Sequence, residues 1–425
     1  MKKLQIVLLM SLMTTLGVRT YGNIIVADSL TRLPLPSASV FDSEGRAVAM
    51  TDNTGAIPPF SPEAFPVTVR YLGFQEKVIH SACADTVFLS SIPTHLDEVI
   101  VESRSHKLLH ILAYVREYST LSSYTDTVFL FREKMVDYML NPDKARFNGW
   151  RSPRIIKSRS YYRFTDAYGL DSVSNRCSHH FSWSDWVGIP HSPSLPRRVR
   201  ESGISTDTIF GRYSPAEIWM RNDDRMIVDI DVLADTASRR WVPNLSTFFR
   251  KNLDFEKFRT RFRYANVTED SIRTTGLAGY SFNIESNGRG RDIFRFSRHD
   301  IPCYISTFGE VYIIDKEYIT IKEAKTWDKR DFSDKSIELI ESPDAPDLQQ
   351  PILDLIARVD AIDHDRTRLD FTPDQRLVAK HRHKENFAGR AFNLLKNLTG
   401  ISAYKHRKNL NDQWDTFRRS RNSDN

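Results

Sequence analysis

The sequence has few of the residues and patterns that indicate a particular chemistry. Its 425 residues include only three cysteines, Cys83, Cys177 and Cys303, and no two of them form a CxxC. This excludes a disulfide-dense small domain, a thioredoxin-like motif and a zinc knuckle. The HExxH, GxSxG, P-loop and dinucleotide-binding glycine motifs are also missing. We therefore predict no catalytic residue, no metal ligand and no cofactor.

Long apolar runs are also scarce. One follows the basic N-terminus and spans Leu4 to Val18, which is short for the roughly 30 Å hydrocarbon core of a membrane. A basic start, an apolar run and the small residues Thr20 and Gly22 are typical of a signal peptide cleaved after Gly22. An uncleaved N-terminal anchor is the alternative. We predict residues 1–22 to be a signal peptide and the protein to be exported to the periplasm, outer membrane or cell surface.

Positive charge is concentrated at the C-terminus. The chain has 60 Lys and Arg against 54 Asp and Glu, a net charge of +6 and a pI near 9.0. Residues 376–425 hold 12 of the bases and four of the acids, so the rest of the mature chain is mildly acidic. We therefore expect no nucleic-acid partner. In an exported protein this basic, partly helical tail could contact an anionic membrane surface; a solvated tail without a partner is the alternative.

Residues 23–104 contain short apolar runs separated by turn signals. Val67, Val69 and Tyr71 alternate with polar residues, as in a half-buried strand, and Asp52–Gly55 is a strong turn cluster. Several such strands within some 80 residues predict an antiparallel β-sandwich.

Five short blocks in this region follow one another in an order and spacing that are known from a protein family. They are Val26–Asp28, Leu33–Val40, Thr51–Gly55, Val69–Phe74 and Leu96–Val101. Together they resemble the carboxypeptidase regulatory-like domain of Bacteroidetes proteins. The resemblance implies a transthyretin-like β-sandwich that carries no peptidase chemistry and serves envelope proteins as a spacer or docking module. Pro58-Pro59 departs from the family pattern, because the family usually continues a strand after this turn.

The sequence pattern of residues 105–375 predicts one α+β domain of unknown function. Leucines and other apolar residues at helical spacing predict a helix over Ser105–Tyr118, with Arg116 and Glu117 outward, and a second helix over Pro351–His364. Thr127–Leu140 fits a strand or a helix. Five runs between Gly279 and Glu323 predict a meander of antiparallel strands. The order of elements resembles exported proteins of unknown function.

The predicted fold class is therefore mainly β or α+β. An N-terminal antiparallel sandwich is followed by an antiparallel-sheet domain with C-terminal helices.

The most chemically suggestive cluster lies between His179 and His191. His179 and His180 precede Trp183 and Trp186 in this segment. A zinc or acid–base site would need these histidines to converge with a third partner, and ordinary surface or partly buried histidines are the alternative. If exposed, the two indoles could stack on sugar faces; if buried, they would be core anchors.

These observations favour a non-enzymatic, exported envelope protein with a binding or scaffolding role. Its expected partner is an envelope protein or a glycan. The alternatives are a glycan-binding module that uses Trp183 and Trp186, and a hydrolase that uses the His179–His191 region. The sequence leaves the oligomeric state open.

Overall fold

The chain is divided into two units, Met1–Thr94 and His95–Asn425. The computed structural model describes residues 24–82, 85–92, 108–122, 126–141, 147, 149–166, 168–169, 171–175, 182–201, 203–212, 214–242, 254–268, 272–288, 303–332 and 337–362. The predicted signal peptide, the predicted boundary at residues 104 and 105, and the predicted basic tail lie outside these residues.

The described part of the N-terminal unit contains six short strands. They are β1 (Ile25–Asp28), β2 (Ser39–Phe41), β3 (Ala47–Met50), β4 (Val67–Arg70), β5 (Lys77–Ile79) and β6 (Thr86–Leu89). Four of them, in the order β3-β2-β4-β5, form a sheet whose strands are antiparallel, as the sequence predicts. β1 and β6 form a separate pair that is parallel, which the prediction of an antiparallel sandwich did not include.

The predicted turn at Asp52–Gly55 is confirmed. The Asp52 carboxylate accepts the backbone N–H groups of Thr54, at 2.8 Å, and of Ala56, at 3.0 Å. Valines from both sheets, Val26, Val40 and Val69, have no exposed surface. Their burial supplies the apolar contacts that hold this small unit together.

The C-terminal unit is built on one antiparallel sheet, with ten strands among the described residues. They are β7 (Leu108–Ser122), β8 (Asp126–Leu140), β9 (Trp150–Asp166), β10 (Asp171–Ser174), β11 (Ile204–Phe210), β12 (Pro215–Asn222), β13 (Arg225–Asp231), β14 (Asp254–Tyr264), β15 (Leu277–Gly288) and β16 (Cys303–Ile319). The order is β10-β9-β8-β7-β16-β15-β14-β13-β12-β11. Two meanders, β7–β10 and β11–β16, are thus joined where β7 pairs with β16.

One face of this sheet, called the core face below, packs a single hydrophobic cluster. On β7 the alternate residues Leu109, Ile111, Ala113 and Val115 contribute to it. Other members come from most of the remaining strands, among them Tyr138, Trp219, Val228, Phe262, Tyr280 and Val311. Burial of this many large side chains is the main stabilising contribution in the unit.

Part of the opposite face of the sheet is also buried but carries charge. Cross-strand neighbours from β13 to β8 form a charged row: Asp229, Arg261, Ser281, Glu310, Arg116 and Glu133. Arg261 Nη2 lies 2.9 Å from Asp229 Oδ2, and Arg116 Nη1 donates to the Pro346 carbonyl. The segment around Pro346 thus lies against this face, where alternating charges offset the cost of burial.

The prediction of a helix over Ser105–Tyr118 is wrong, because residues 108–118 belong to strand β7. Both faces of β7 are covered, so its apolar residues are continuous instead of alternating and match a helical period by accident. Arg116 and Glu117, predicted outward, are 2% and 0% exposed. The ambiguous segment Thr127–Leu140 is strand β8.

The predicted meander after Gly279 contains fewer and longer elements. Runs predicted as separate strands from residue 303 to residue 319 form the single strand β16. Helix α1 (Ile321–Asp328) follows, and a capping box between Thr320 and Glu323 starts it. The predicted run Asp292–Ser297 lies outside the described residues.

The amphipathic helix predicted from Pro351 is confirmed as helix α2 (Gln350–Asp360), which buries Ile352, Leu355 and Val359. The protein is therefore mainly β, with antiparallel sheets and helices after the last described strand. None of the helices described is long and apolar enough to cross a membrane.

Candidate functional site

A cavity of about 260 Å³ opens on the opposite face of the sheet, near α1. Its apolar wall comes from the sheet residues Leu112, Met135 and Ile156 and from residues after β16. The latter are Trp327, Phe332, Ile337 and Ile340, and the polar lining residues are His110, Asp315, Glu317 and Arg330. This volume is far more than a single water needs, and it approaches the size of small-ligand sites.

His110 occupies one wall of the cavity and is held by two carboxylates. Its Nδ1 lies 3.0 Å from Glu317 Oε1, and its Nε2 lies 3.2 Å from Asp137 Oδ2. Burial lowers the pKa of His110, but the hydrogen bonds and charges of Asp137 and Glu317 outweigh it and raise the pKa above its ordinary value of 6.5. The geometry therefore favours an imidazolium that donates from both nitrogens.

Asp137 is the buried anchor of this arrangement, with no exposed side-chain surface. It accepts from Arg154 Nη2 at 2.6 Å, from Arg154 Nε at 3.0 Å and from Trp327 Nε1. Burial alone would raise its pKa, but the hydrogen bonds from His110, Arg154 and Trp327 lower it. One carboxylate thus ties β7, β9 and α1 to β8.

The mouth of the cavity carries opposite charges. Asp315, Glu317 and Arg330 are exposed, and the Arg330 guanidinium lies 4.8 Å from the centre of the Trp327 ring. Within 4.0 Å, neither Asp315 nor Arg330 forms an ion pair with another described side chain. Among the described residues, no three His, Cys, Asp or Glu side chains are grouped to hold a metal ion.

The site residues predicted from sequence do not line this cavity, as far as the structure describes them. Trp183 is 1% exposed and packs against Phe255 and Phe258, with ring centres 5.4 and 6.2 Å away, so its indole cannot stack on a sugar. Trp186 is half-buried against the same core cluster. His191 is exposed and is not among the residues that line the cavity. His179 and His180 lie outside the described residues.

The segment that contains the two tryptophans crosses the core face as a strap, residues 182–199. Its chain passes close to β9: the Ile189 N–H donates to the Arg151 carbonyl at 2.9 Å, and a Cβ on Gly188 would lie 2.2 Å from that oxygen. Tyr280 Oη donates to the Val187 carbonyl at 2.8 Å. Only glycine permits this approach, so the strap is fixed in place at its centre.

The start of the strap is fixed by two buried charges on neighbouring strands. The Glu117 carboxylate accepts the Trp183 N–H at 2.9 Å and the hydroxyls of Ser182 and Ser184. Lys134 Nζ donates to both hydroxyls, at 2.6 and 2.9 Å, and to Asp185. All three ammonium protons are therefore used, as burial of a charge requires.

Sequence reasoning did not identify His110, Asp137 or Trp327. Asp137 and Glu317 lie 27 and 207 positions from His110, so no local spacing connects them. A signal was present, because ionisable residues interrupt otherwise apolar runs at His110 and Asp137. In a strand buried on both faces, such residues must be paired.

No family model matches the chain, and no curated protein matches it. A solved structure of lipovitellin, described as showing lipid–protein interactions in that protein, is similar to part of the chain at 9% identity and a TM-score of 0.23. The match covers 51% of this chain and 26% of the lipovitellin chain.

Proposed function

We propose that the protein is an exported, non-enzymatic binding protein of the cell envelope. In this proposal its C-terminal unit takes a small ligand in the cavity beside His110. The observation that carries the proposal is the cavity itself, which has apolar walls, a few polar groups and an opening at the surface. This combination is typical of small-ligand sites.

The lining favours a ligand with an apolar body and a polar end. Leu112, Met135 and Ile156 would bury the body against the sheet, and Trp327 would cover it. The polar end would meet the charges at the mouth, where Asp315 and Arg330 have no ion-pair partner among the described side chains. Burial of the apolar part supplies affinity, and the charges supply orientation.

The hydrogen bonding of His110 favours binding over catalysis. Both ring nitrogens are engaged by carboxylates, so the imidazole has neither a lone pair nor an uncommitted proton for a substrate. A hydrolase based on the His179–His191 region is less well supported, since His191 is exposed and does not line the cavity. A glycan module is less well supported because Trp183 is buried.

The N-terminal unit would act as a spacer or docking module. The support is the resemblance to the carboxypeptidase regulatory-like domain, together with the signal-like N-terminus. An envelope protein or a glycan is the proposed partner of the whole chain, and the basic tail would contact anionic lipid.

The cavity is tested by fluorescence titration with two small aromatic probes, phenethylamine and phenylacetate. We expect one of them to change tryptophan emission saturably, and Trp327→Phe to remove that change. Leu112→Trp fills the cavity and should abolish binding. Leu353→Trp, a matched change on the exposed side of α2, should not. An equal response in both leucine variants, or no saturable response to either probe, would contradict the proposal.

A further inference from the structure

Lys134, Glu117 and Asp185 form a buried cluster on the core face that the proposed binding site does not use. The side chains of Lys134 and Glu117 have no exposed surface, whereas that of Asp185 is 33% exposed. Lys134 Nζ donates to Asp185 Oδ1 and lies 3.8 Å from Glu117 Oε2. An amine and a carboxyl group are thus held in contact, with a second carboxylate beside them.

Two serine hydroxyls connect the amine to the second carboxylate. Ser182 and Ser184 each accept from Lys134 Nζ, and each donates to Glu117 Oε2. A proton leaving Nζ therefore has a hydrogen-bonded path to Glu117. Because the backbone N–H of Trp183 also holds Glu117, the acceptor end of that path is fixed.

We propose that Lys134 and Asp185 condense spontaneously to form an intramolecular isopeptide bond, with Glu117 as the proton acceptor. The bond would join β8 to the start of the strap covalently. No added reagent is needed, because the by-product is water.

In this condensation the Lys134 nitrogen gives up two protons and one water is released. A proton passes from the Lys134 ammonium to the Asp185 carboxylate, which leaves a neutral amine next to a carboxylic acid. Nζ attacks Cγ of Asp185, and the proton that nitrogen then sheds moves through a serine hydroxyl to Glu117. Glu117 returns it to the departing hydroxyl of Asp185. One N–C bond forms, one C–O bond breaks, and one water leaves.

The surroundings favour this reaction in two ways. Burial lowers the pKa of Lys134, against the opposing charges of Glu117 and Asp185, so the neutral amine is more accessible than in water. Holding the two groups in contact also removes the entropy of bringing them together, which in oriented intramolecular reactions is worth about 10⁵ M or more in effective concentration. The partial exposure of Asp185 gives the released water a route out.

Another Lys–carboxylate pair in the same sheet provides a control. Lys257 Nζ lies 2.6 Å from Glu285 Oε1, but these side chains are 31% and 22% exposed. No second carboxylate lies within 4.0 Å of Lys257 Nζ among the described residues. If contact were sufficient for the reaction, both pairs would be linked. If the reaction also requires a buried lysine and a proton acceptor, only Lys134 would be linked to its carboxylate.

The test is mass spectrometry of the full chain and of its tryptic peptides. We expect the intact mass to be lower than the mass of the processed sequence by one water. A branched peptide should join the segments that contain Lys134 and Asp185. Asp185→Ala should restore the full mass, and in Glu117→Gln we expect the cross-link to form about 100-fold more slowly. Circular dichroism of each variant shows whether it folds.

An intact mass equal to that of the processed sequence, in folded wild type, would overturn the proposal. So would a cross-link between Lys257 and Glu285 at similar yield, because it would show that contact suffices. Full-rate linkage in folded Glu117→Gln would overturn the part assigned to Glu117. If every Glu117 and Asp185 variant fails to fold, the wild-type digest alone still decides.

Discussion

Single buried charges determine much of what is specific to this protein. His110, Glu117 and Asp137 lie on two adjacent strands, and each is held by several hydrogen bonds. Breaking a buried pair leaves an uncompensated charge, which is far more costly than losing a surface pair. Replacing one of these side chains should therefore destabilise the protein more than replacing a charged residue at the surface.

The stabilisation by His110 should depend on pH. Its folded pKa is raised, so the contribution is fully present below the unfolded value of 6.5 and is lost as pH rises through the folded pKa. We expect the difference in unfolding free energy between wild type and His110→Gln to shrink as the pH rises above 6.5 and through the folded pKa. A series of urea unfolding experiments at increasing pH measures it. A difference that grows with pH would mean that the imidazole is neutral in the folded protein.

Asp137→Asn should destabilise the protein strongly. The change removes the buried carboxylate that Arg154 and His110 share, at a cost of about 3 kcal/mol or more. Asp171→Asn is the matched control, because Asp171 pairs with Arg163 and Arg358 at the surface and should cost under about 1 kcal/mol. Chemical denaturation measures both variants. Equal costs would contradict the anchoring role of Asp137.

Glycine is required at position 309 because the ring of Phe282 lies across it. A Cβ at this position would lie 2.2 Å from Cζ of Phe282, which is buried opposite it on β15. Gly309→Ala should therefore cost about 1–3 kcal/mol through overpacking. Adding Phe282→Leu removes the clash, so the double variant should lose less stability than the two single changes predict. Strict additivity in denaturation experiments would argue against direct contact.

The secondary structure was predictable from the sequence for those elements that have one solvent-exposed face. Helix α2 has a polar side and begins with a proline, and it was predicted correctly. Strand β7 is covered on both faces, which removes the two-residue period that marks a strand. The same double burial hid the candidate site, because His110 and Asp137 are brought together by strand pairing, not by spacing in the sequence.

The strap should depend on Tyr280. Its hydroxyl donates to the Val187 carbonyl and accepts from Tyr138, all within the core. Tyr280→Phe leaves that carbonyl unsatisfied, at a cost of about 1–3 kcal/mol. In Tyr304→Phe the lost partner is Glu285, which is partly exposed and can bond to water, so that change should cost less. Thermal denaturation compares the two, and equal shifts would contradict the anchoring of the strap.

For the whole molecule, the two ends of the large sheet differ. At one end α2 lies against β9 and β10, and Arg358 pairs with Asp171 at 2.9 Å. At the other end β11 is the outermost described strand, with Ile204 and Phe210 exposed by 58% and 72%. An apolar edge strand is prone to pair with other chains.

Association should therefore be reduced by a charge on β11. We expect Phe210→Lys to lower the concentration-dependent light scattering of the purified protein, because lysine disfavours edge-to-edge pairing. Leu353→Lys places the same charge on the exposed side of α2 and should have little effect. The prediction is wrong if both variants change the scattering equally.

The pairing of β7 with β16 has a consequence for the order in which this protein can fold. Tyr118 and Phe308 face each other across that pair although 190 positions separate them, whereas the other strand neighbours of the sheet follow one another along the chain. Contacts between distant segments form slowly, because closing a long loop costs entropy before any contact compensates it. The two meanders can each assemble from local hairpins, but the sheet becomes continuous only after β16 has been synthesised. The cavity would then be among the last features to form, since His110 and Glu317 come from the two sides of that joint.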